Sequence, residues 1–230
     1  MAAVSACAAL AGCSTPVDDA PAVHIAEAVM PSPSRALDQV LPKADELATI
    51  LGASGFMGQL VEGGADMLLQ GVGESKATPV DCVSPTYRLQ KVVYQASPVR
   101  AVATQSWAGG AFDGPPVSGF FGVVKFATPD DAQAFFAASA DTWHRCNGQT
   151  LVLHQPAQGA GGSSRITDVT VDRKMVSAVV MHDAGSTIQR ALGVAADCIV
   201  EVELSDVGGD GGADDAISVA NLMVQKIGNS

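Results

Sequence analysis

The stretch Asp197-Cys-Ile-Val-Glu-Val-Glu-Leu204 carries the period-two alternation that is typical of a β-strand. One face of this predicted strand is apolar and consists of Cys198, Val200, Val202 and Leu204. The other face carries the acidic residues Asp197, Glu201 and Glu203. We therefore predict that the apolar face points into a core. Cys198 is then a buried thiol that behaves as a small hydrophobic side chain.

Further strands are predicted upstream of this one. Four candidates cover residues 149–154, 165–171, 175–181 and 187–194, the last running on towards Leu204. Two more, 101–107 and 117–126, flank a connection that is rich in glycine and proline. Because most of these strands follow one another directly along the chain, the order favours an antiparallel sheet over alternating βαβ units.

Helical patterns stand before, between and after these strands. Residues 36–51 predict a short turn and then a helix with Gly52 as its C-cap, and residues 56–70 predict a weaker helix. Thr128-Pro129-Asp130-Asp131 predicts the start of a helix that ends near Cys146, and a last helix contains Ile217 to Ile227. The predicted fold class is therefore α+β, a single domain with an antiparallel β-sheet flanked by helices.

The N-terminus predicts export and lipid attachment. Leu10-Ala11-Gly12-Cys13 ends an apolar block of small residues and resembles a bacterial lipobox, whose cysteine receives diacylglycerol. A further acyl chain such as palmitate would complete a stable anchor. We predict a signal segment over 1–13 that ends at the lipidated Cys13, a flexible tether over 14–36, and a folded domain over 37–230. No Lys or Arg precedes the apolar block, so the alternatives are a cleavable signal with an incidental cysteine or a buried N-terminal helix.

The charge balance of the chain excludes several kinds of partner. The formal net charge is −11, with 13 Lys and Arg against 24 Asp and Glu. This balance repels nucleic acid and leaves no basic patch for phosphate backbones. After the N-terminus no apolar run approaches the roughly 20 residues that a membrane span needs. We therefore expect contact with the membrane only through the lipid, on the extracytoplasmic face of the cell envelope.

The cysteines predict one disulfide. The chain has five cysteines, of which Cys7 lies in the predicted signal segment and Cys13 carries the lipid. An exported domain folds in an oxidising compartment, and Cys198 already belongs to an apolar strand face. We therefore pair Cys82 with Cys146. Closing so long a loop stabilises the fold by about 4 kcal/mol in the chain-entropy model.

One motif resembles a cofactor-binding loop, namely Gly52-Ala-Ser-Gly55-Phe-Met-Gly58. A dinucleotide loop follows a buried parallel strand, with an acidic residue about 20 residues further on. Here the preceding residues predict a charged amphipathic helix, and no second parallel strand follows. We interpret the motif as a helix cap and turn, and we expect no cofactor. An NAD(P)-binding enzyme is the weakest of the functional alternatives.

The remaining motifs give even weaker evidence for a metal site or a catalytic site. The Gly-rich loop with Asp206, Asp210, Asp214 and Asp215 lacks the spacing of an EF-hand calcium site. The histidines lack the spacing of a zinc site, and no GxSxG motif places a nucleophilic serine. We therefore expect no metal, no catalytic residues and no enzyme activity.

Several short motifs together resemble a known family. In chain order they are Ala44-Asp-Glu-Leu47, Asp81-Cys82, Tyr94 to Ser97, Ala101-Val-Ala-Thr-Gln105, Trp143-His-Arg-Cys146-Asn-Gly148 and Gln189-Arg-Ala-Leu192. With them, residues 37–228 resemble the PknH-type extracellular sensor domain. Mycobacteria and their relatives carry this domain outside a membrane serine/threonine kinase and, more often, as stand-alone lipoproteins.

The resemblance implies an α+β domain without enzyme activity, a cleft for an unidentified ligand, and the Cys82–Cys146 disulfide. Many members have a second disulfide around the piece that corresponds to Gln189-Arg-Ala-Leu192. In this chain Thr187-Ile188 and Leu204-Ser205 stand at those places, and Cys198 occupies neither. We therefore predict a single disulfide, and a looser sheet end near residues 188–205 than in members with two.

The predicted function is a lipid-anchored, non-catalytic sensor-like domain that binds a small molecule or an envelope component in a cleft. Tyr94, Gln105, Gln189 and Arg190 are the polar residues within matched strand motifs, and they are our candidates for ligand contact. Hydrogen bonds within the core are their alternative role. The alternative function is a surface module that binds a protein partner without a small ligand.

Overall fold

An antiparallel β-sheet forms the centre of the chain. The computed structural model describes residues 36–110, 116–154, 162–183, 185–205 and 212–229. Within them lie ten strands: β1 (Ser54–Met57), β2 (Val61–Gly63), β3 (Ala77–Thr78), β4 (Val99–Gly110), β5 (Pro116–Phe126), β6 (Thr150–Leu153), β7 (Ser163–Val171), β8 (Met175–His182), β9 (Thr187–Ala195) and β10 (Cys198–Ser205).

The strands pair in the order β1-β4-β5-β10-β9-β8-β7-β6-β3, and β2 also pairs with β4. Each of these pairings is antiparallel. The long hairpin from β4 to β5 matches the strands predicted over 101–107 and 117–126. β10 lies between β5 and β9, so the strand that contains Asp197 to Leu204 is a central one. The predicted antiparallel sheet is thus confirmed.

Helices cover both faces of this sheet. They are α1 (Ala44–Leu51), α2 (Val83–Thr86), α3 (Lys91–Tyr94), α4 (Pro129–Cys146) and α5 (Asp214–Gly228). α1 and α5 pack on one face, where Leu47 and Val219 join a buried cluster with Val200. α2, α3 and α4 pack on the other face, where Tyr94 and Trp143 join a second buried cluster. The predicted α+β class with flanking helices is confirmed.

The caps of α4 follow the sequence prediction. Thr128 accepts a hydrogen bond from the backbone N–H of Asp131 on its Oγ1, at 3.1 Å, and Pro129 is the first helical residue. The helix ends at Cys146, which forms a disulfide with Cys82 across 64 residues of sequence. This disulfide is the one predicted from the cysteine count, and it ties α4 to the turn that precedes α2.

Both faces of β10 are buried, which the alternation did not predict. Cys198, Val200 and Val202 pack under α5 and α1, as expected for the apolar set. The opposite face packs under α2, α3 and α4, so Glu201 and Glu203 are only 4% and 8% exposed. Period-two alternation is typical of a strand with one wet face. Here a second layer of helices covers the face that carries the acids.

The predicted helix over 56–70 is wrong. Residues in this region form β1 and β2 against β4, followed by a short 3-10 turn over Ala65–Met67. Glycine lies at three points of the segment, and it disfavours a helix by about 1 kcal/mol at each point. The long strand β4 offers the segment backbone partners instead, with Val61 opposite Thr104.

The Gly52-Gly55-Gly58 motif has a structural explanation. Gly52 ends α1 in the left-handed conformation with φ of +64°, as a C-cap glycine does. Gly55 lies in β1 beneath the indole of Trp107, where a Cβ would stand 2.4 Å from the ring. The motif follows a helix and enters an antiparallel strand, so it lacks the geometry of a dinucleotide loop.

Gly55→Ala is expected to lower the free energy of unfolding by about 1–3 kcal/mol, because the new methyl group displaces Trp107 or the carbonyl of Ala108. Urea denaturation followed by tryptophan fluorescence measures this loss. Gly73→Ala is the control, since nothing lies within 4 Å of its added Cβ and its φ is −95°. Equal stability of the two variants would contradict the packing of Trp107 on Gly55.

Some predictions fall outside the described residues. These are the lipidated Cys13, the signal segment over 1–13, the tether over 14–36 apart from its last residue, and Asp206 and Asp210 of the acidic loop. Asp214 and Asp215, from the same loop, begin α5. No helix in the described part of the chain is long and apolar enough to span a membrane.

Candidate functional site

A buried network of charged side chains lies between β9, β10 and the layer of α2, α3 and α4. Arg190 of β9 is its centre, and its side chain has no exposed surface. Its Nη2 donates to Glu201 at 2.7 Å, and its Nη1 donates to Glu203 at 3.0 Å. Nη2 also lies 3.4 Å from the carbonyl oxygen of Ser84 in α2. One guanidinium thus joins two strands to the helical layer.

Glu201 is the most enclosed acid of the network. Its carboxylate accepts the backbone N–H of Leu89 at 3.2 Å and the hydroxyl of Tyr94, in addition to Arg190. Tyr94 is 1% exposed, and its ring stacks on Phe135 of α4 with centroids 4.5 Å apart. The carboxylate therefore fixes the position of the loop and short helix around Tyr94 relative to the sheet.

Glu203 connects the buried centre to the surface. It accepts hydrogen bonds from both Arg190 and Arg88. The Arg88 guanidinium lies over the ring of Phe120, 4.0 Å from its centroid, and its side chain is 32% exposed. Two arginines thus face two glutamates, which balances the charge where a lone buried ion would be costly.

The environment shifts the pKa values of this network. Burial raises the pKa of the Glu201 carboxyl, and the positive charge of Arg190 and the hydrogen bond from Tyr94 oppose that shift. Burial also raises the pKa of Tyr94 well above 10, with a further increase from the negative charge of Glu201. Tyr94 is therefore a neutral hydrogen-bond donor over the whole physiological range.

The structure brings together two of the four candidate residues, Tyr94 and Arg190, which meet at Glu201. Gln189 is on the other face of the sheet. There its Oε1 accepts the backbone N–H of Ala216 at 3.1 Å, so it caps the start of α5. Gln105 of β4 donates to the carbonyl oxygen of Gly58 at 2.9 Å and holds β1 to β4. These two residues do not belong to the network.

Three members of the network, Arg88, Glu201 and Glu203, are not among the site residues predicted from the sequence. The available signal was the pair of acids in a strand whose other residues are apolar. Had helices been assigned to both faces of the sheet, that pair would have required a buried cation. Arg190 is opposite Glu203 in the β9–β10 register, which only the pairing reveals.

Both tyrosines of the chain, Tyr87 and Tyr94, are expected to ionise above pH 10 in the folded state. Burial raises the pKa of each, so the folded chain holds these protons more tightly than the unfolded chain. Stability therefore falls as pH rises above about 10. An alkaline titration of tyrosinate absorbance measures the effect, with the urea-unfolded chain and Tyr94→Phe as controls. Titration of both folded tyrosines near pH 10 would contradict the burial.

Two cavities border the network, and the larger of them lies at its exposed end. We name it the Arg88 cavity; its volume is about 660 Å³. Arg88 and Glu203 supply its charged wall. The remaining wall includes two aromatic side chains and three hydroxyls, those of Phe56, Phe120, Ser106, Ser118 and Ser205. This combination of apolar surface and a few polar groups is typical of small-molecule sites.

A second cavity, of about 460 Å³, lies between α4 and the segments before it. Val92, Val93 and Phe135 supply apolar wall, and Glu74 and Asp81 supply its carboxylates. Ser84 also lines this cavity, and its carbonyl is close to Arg190. The cavity therefore borders the network from the helical side, but the described residues place no cation in its wall.

One serine–histidine pair occurs near the network. Ser164 Oγ lies 2.7 Å from His182 Nδ1, and Tyr87 Oη lies 3.4 Å from the same hydroxyl. Burial lowers the pKa of His182. Ser164 is 1% exposed and lines neither of the two cavities above, so a substrate has no approach to its oxygen. The pair serves as a hydrogen-bonded link between β7 and β8.

Comparison with known proteins decides the family. Residues 32–226 match the family described as the PknH-like extracellular domain. The chain belongs to this family. The extent of the match covers every described strand and helix up to the last turn of α5, so the network and both cavities lie inside the PknH-like domain.

One solved structure agrees with this assignment at the level of the fold. The crystal structure of the extracellular domain of PknH from Mycobacterium tuberculosis superposes with a TM-score of 0.69 at 22% sequence identity, over 84% of this chain and 95% of that chain. An X-ray structure of an uncharacterised protein from Mycobacterium smegmatis gives a TM-score of 0.42 at 11% identity, over 85% of this chain and 97% of that one. No curated protein matches this chain.

Proposed function

We propose that this chain is a lipid-anchored, non-catalytic domain on the extracytoplasmic face of the membrane that binds a small molecule or an envelope component in the Arg88 cavity. The observation that carries the proposal is the position of this cavity. Its wall contains Arg88 and Glu203. Hydrogen bonds connect this pair to the buried residues Arg190, Glu201 and Tyr94. A ligand there contacts the charged network that ties the sheet to its helical layer.

Membership of the PknH-like extracellular family supports the extracytoplasmic location. The anchor rests on Leu10-Ala11-Gly12-Cys13 and on the Pro- and Ser-containing stretch behind it. Lipid on Cys13 and a ligand in the cavity are two separate parts of the proposal, and each has its own test.

A binding role has more support than catalysis. Catalysis needs a nucleophile or a proton-transfer group that a substrate reaches. Ser164 is buried, and the carboxylates of Glu201 and Glu203 are engaged by arginines. The alternative of a protein-docking surface has less support. An exposed apolar residue would be its main evidence, and Phe56, at 85% exposed, is the most exposed large hydrophobic residue of the described chain. Phe56 also lines the Arg88 cavity, so a small ligand in that cavity accounts for it equally well.

Native mass spectrometry of the full chain recovered from its own envelope tests both parts. We expect a bound small molecule that is released on denaturation, and a chain that begins at Cys13 with diacylglycerol and an acyl group. Ser118→Tyr fills the cavity from an exposed position and is expected to lose the bound molecule. A ligand-free mass contradicts cavity binding. An unmodified Cys13 that still follows Gly12 contradicts the anchor.

A further inference from the structure

We propose that the ligand of the Arg88 cavity carries an oxyanion, a carboxylate or a phosphate, on an apolar body. The oxyanion binds the Arg88 guanidinium, and the apolar body lies against Phe56 and Phe120. This inference rests on the proposed function, because it specifies the chemistry of the same cavity. It commits to a charge on the ligand, which the proposed function leaves open.

Arg88 has hydrogen-bond donors to spare. A guanidinium has five N–H donors, and among the described residues Arg88 uses its donors only toward Glu203. Stacking on Phe120 and the bond to Glu203 hold the planar group in one orientation at the cavity wall. A guanidinium held in this way is suited to a two-pronged contact with a carboxylate or a phosphate.

The charged wall of this cavity has unmet donors. Arg88 Nε is buried and lacks a hydrogen-bond partner, and so does Arg190 Nε behind it. Arg88 lines the cavity, and it shares the carboxylate of Glu203 with Arg190. Buried N–H groups without an acceptor are rare in folded proteins. An acceptor-rich ligand complements such a wall, whereas a cationic ligand does not.

The charge around the cavity permits an anion despite the net charge of the chain. Among the described residues, Glu203 is the only acidic one that lines it, and its two oxygens face Arg190 and Arg88. The second acid, Glu201, is paired with Arg190 behind the wall. Two arginines therefore balance two glutamates, and an approaching oxyanion meets Arg88 rather than an unpaired carboxylate. Phe56 and Phe120 supply the apolar contact.

Two phenylalanines of the chain provide a matched reporter and control. Phe120 lines the cavity beneath the Arg88 guanidinium, whereas Phe136 of α4 is buried in the helical layer and lines neither cavity. The complete chain labelled with ¹³C-phenylalanine is titrated with phenyl phosphate, benzoate, the neutral isostere benzamide, and inorganic phosphate. We expect either phenyl phosphate or benzoate to move the Phe120 resonance and to leave Phe136 unmoved.

The four probes separate the parts of the inference. Benzamide is expected to bind at least about tenfold more weakly than the better anion, because it lacks a charge-assisted bond to Arg88. Inorganic phosphate alone is expected to bind at least about tenfold more weakly than phenyl phosphate, because it lacks the ring. The preference between phenyl phosphate and benzoate identifies the type of oxyanion. Equal binding of benzamide and benzoate, with no preference for phenyl phosphate, overturns the inference and leaves cavity binding intact.

Variants separate charge from cavity shape. Arg88→Lys keeps a positive charge without the planar fork, and it is expected to weaken anion binding about tenfold. Ser118→Tyr blocks the cavity and leaves the charges unchanged. Arg100→Lys, at an exposed arginine outside the cavity, is expected to have no effect. An unmoved Phe136 resonance shows that each variant is folded. A folded chain whose Phe120 resonance responds to none of the probes overturns the inference, whereas co-purification tests the proposed function itself.

Discussion

Replacing Arg190 with methionine is expected to lower the free energy of unfolding by about 3–5 kcal/mol. The variant leaves Glu201 and Glu203 in a layer where they are only 4% and 8% exposed, with one of two balancing cations removed. Glu201 loses its only arginine, and Tyr94 alone cannot neutralise a carboxylate. Urea denaturation at neutral pH measures the loss, and the unfolding midpoint is expected to fall while the slope is unchanged.

The matched control is Arg100→Met, which removes an arginine from an exposed position of β4 and is expected to change stability by less than about 0.5 kcal/mol. Adding Glu201→Gln to Arg190→Met is expected to restore part of the loss, because the buried acid is no longer charged. Acid is expected to do the same. Removing Arg190 raises the pKa of Glu201 further, so the deficit shrinks as pH falls through that raised pKa. A loss as small as that of Arg100→Met would contradict a stabilising network.

The fold could be predicted from local patterns, whereas the network could not. The Thr128 cap, the Gly52 C-cap and the strand at 197–204 depend on patterns within a few residues of sequence, and each is present in the structure. The burial of the acidic face of that strand does not follow from its alternation. Arg190 and Glu203 are also near in sequence, but their contact depends on the β9–β10 register. Arg88 is 115 residues from Glu203, so its approach depends on the tertiary fold.

The same difference between local sequence patterns and tertiary contacts explains where the four candidate residues lie in the structure. Tyr94, Gln105, Gln189 and Arg190 are polar residues in strand-like motifs, which makes them candidates for ligand contact from the sequence. In the structure all four make hydrogen bonds that join separate segments of the chain. A one-dimensional pattern identifies a polar residue that needs a partner, but it does not identify the partner. The helix predicted over 56–70 failed for a related reason, since pairing with β4 outweighs a weak helical pattern.

Removal of the disulfide, by Cys82→Ser with Cys146→Ser, is expected to lower the free energy of unfolding by about 4 kcal/mol. The bridge closes a loop with a sequence separation of 64, and the chain-entropy model gives this value for a loop of that length. Both sulfurs are buried, at 3% and 2% residue exposure, so the serine hydroxyls add a desolvation cost. Thermal and urea unfolding of the variant, beside the parent chain under oxidising conditions, measure the effect.

Reduction of the parent chain separates these two contributions, because it opens the loop without adding hydroxyls. Cys198 lies under α5 on the other face of the sheet, so Cys198→Ala is the control for a buried cysteine that is not part of this disulfide. If loop closure is the main effect, reductant destabilises the parent chain and Cys198→Ala alike and leaves the double serine variant unchanged. The disulfide and Arg190 stabilise different contacts of α2. The disulfide ties α4 to the start of α2, whereas Arg190 ties α2 to the sheet. Because both act on α2, the losses of unfolding free energy from the two variants are expected to add only in part.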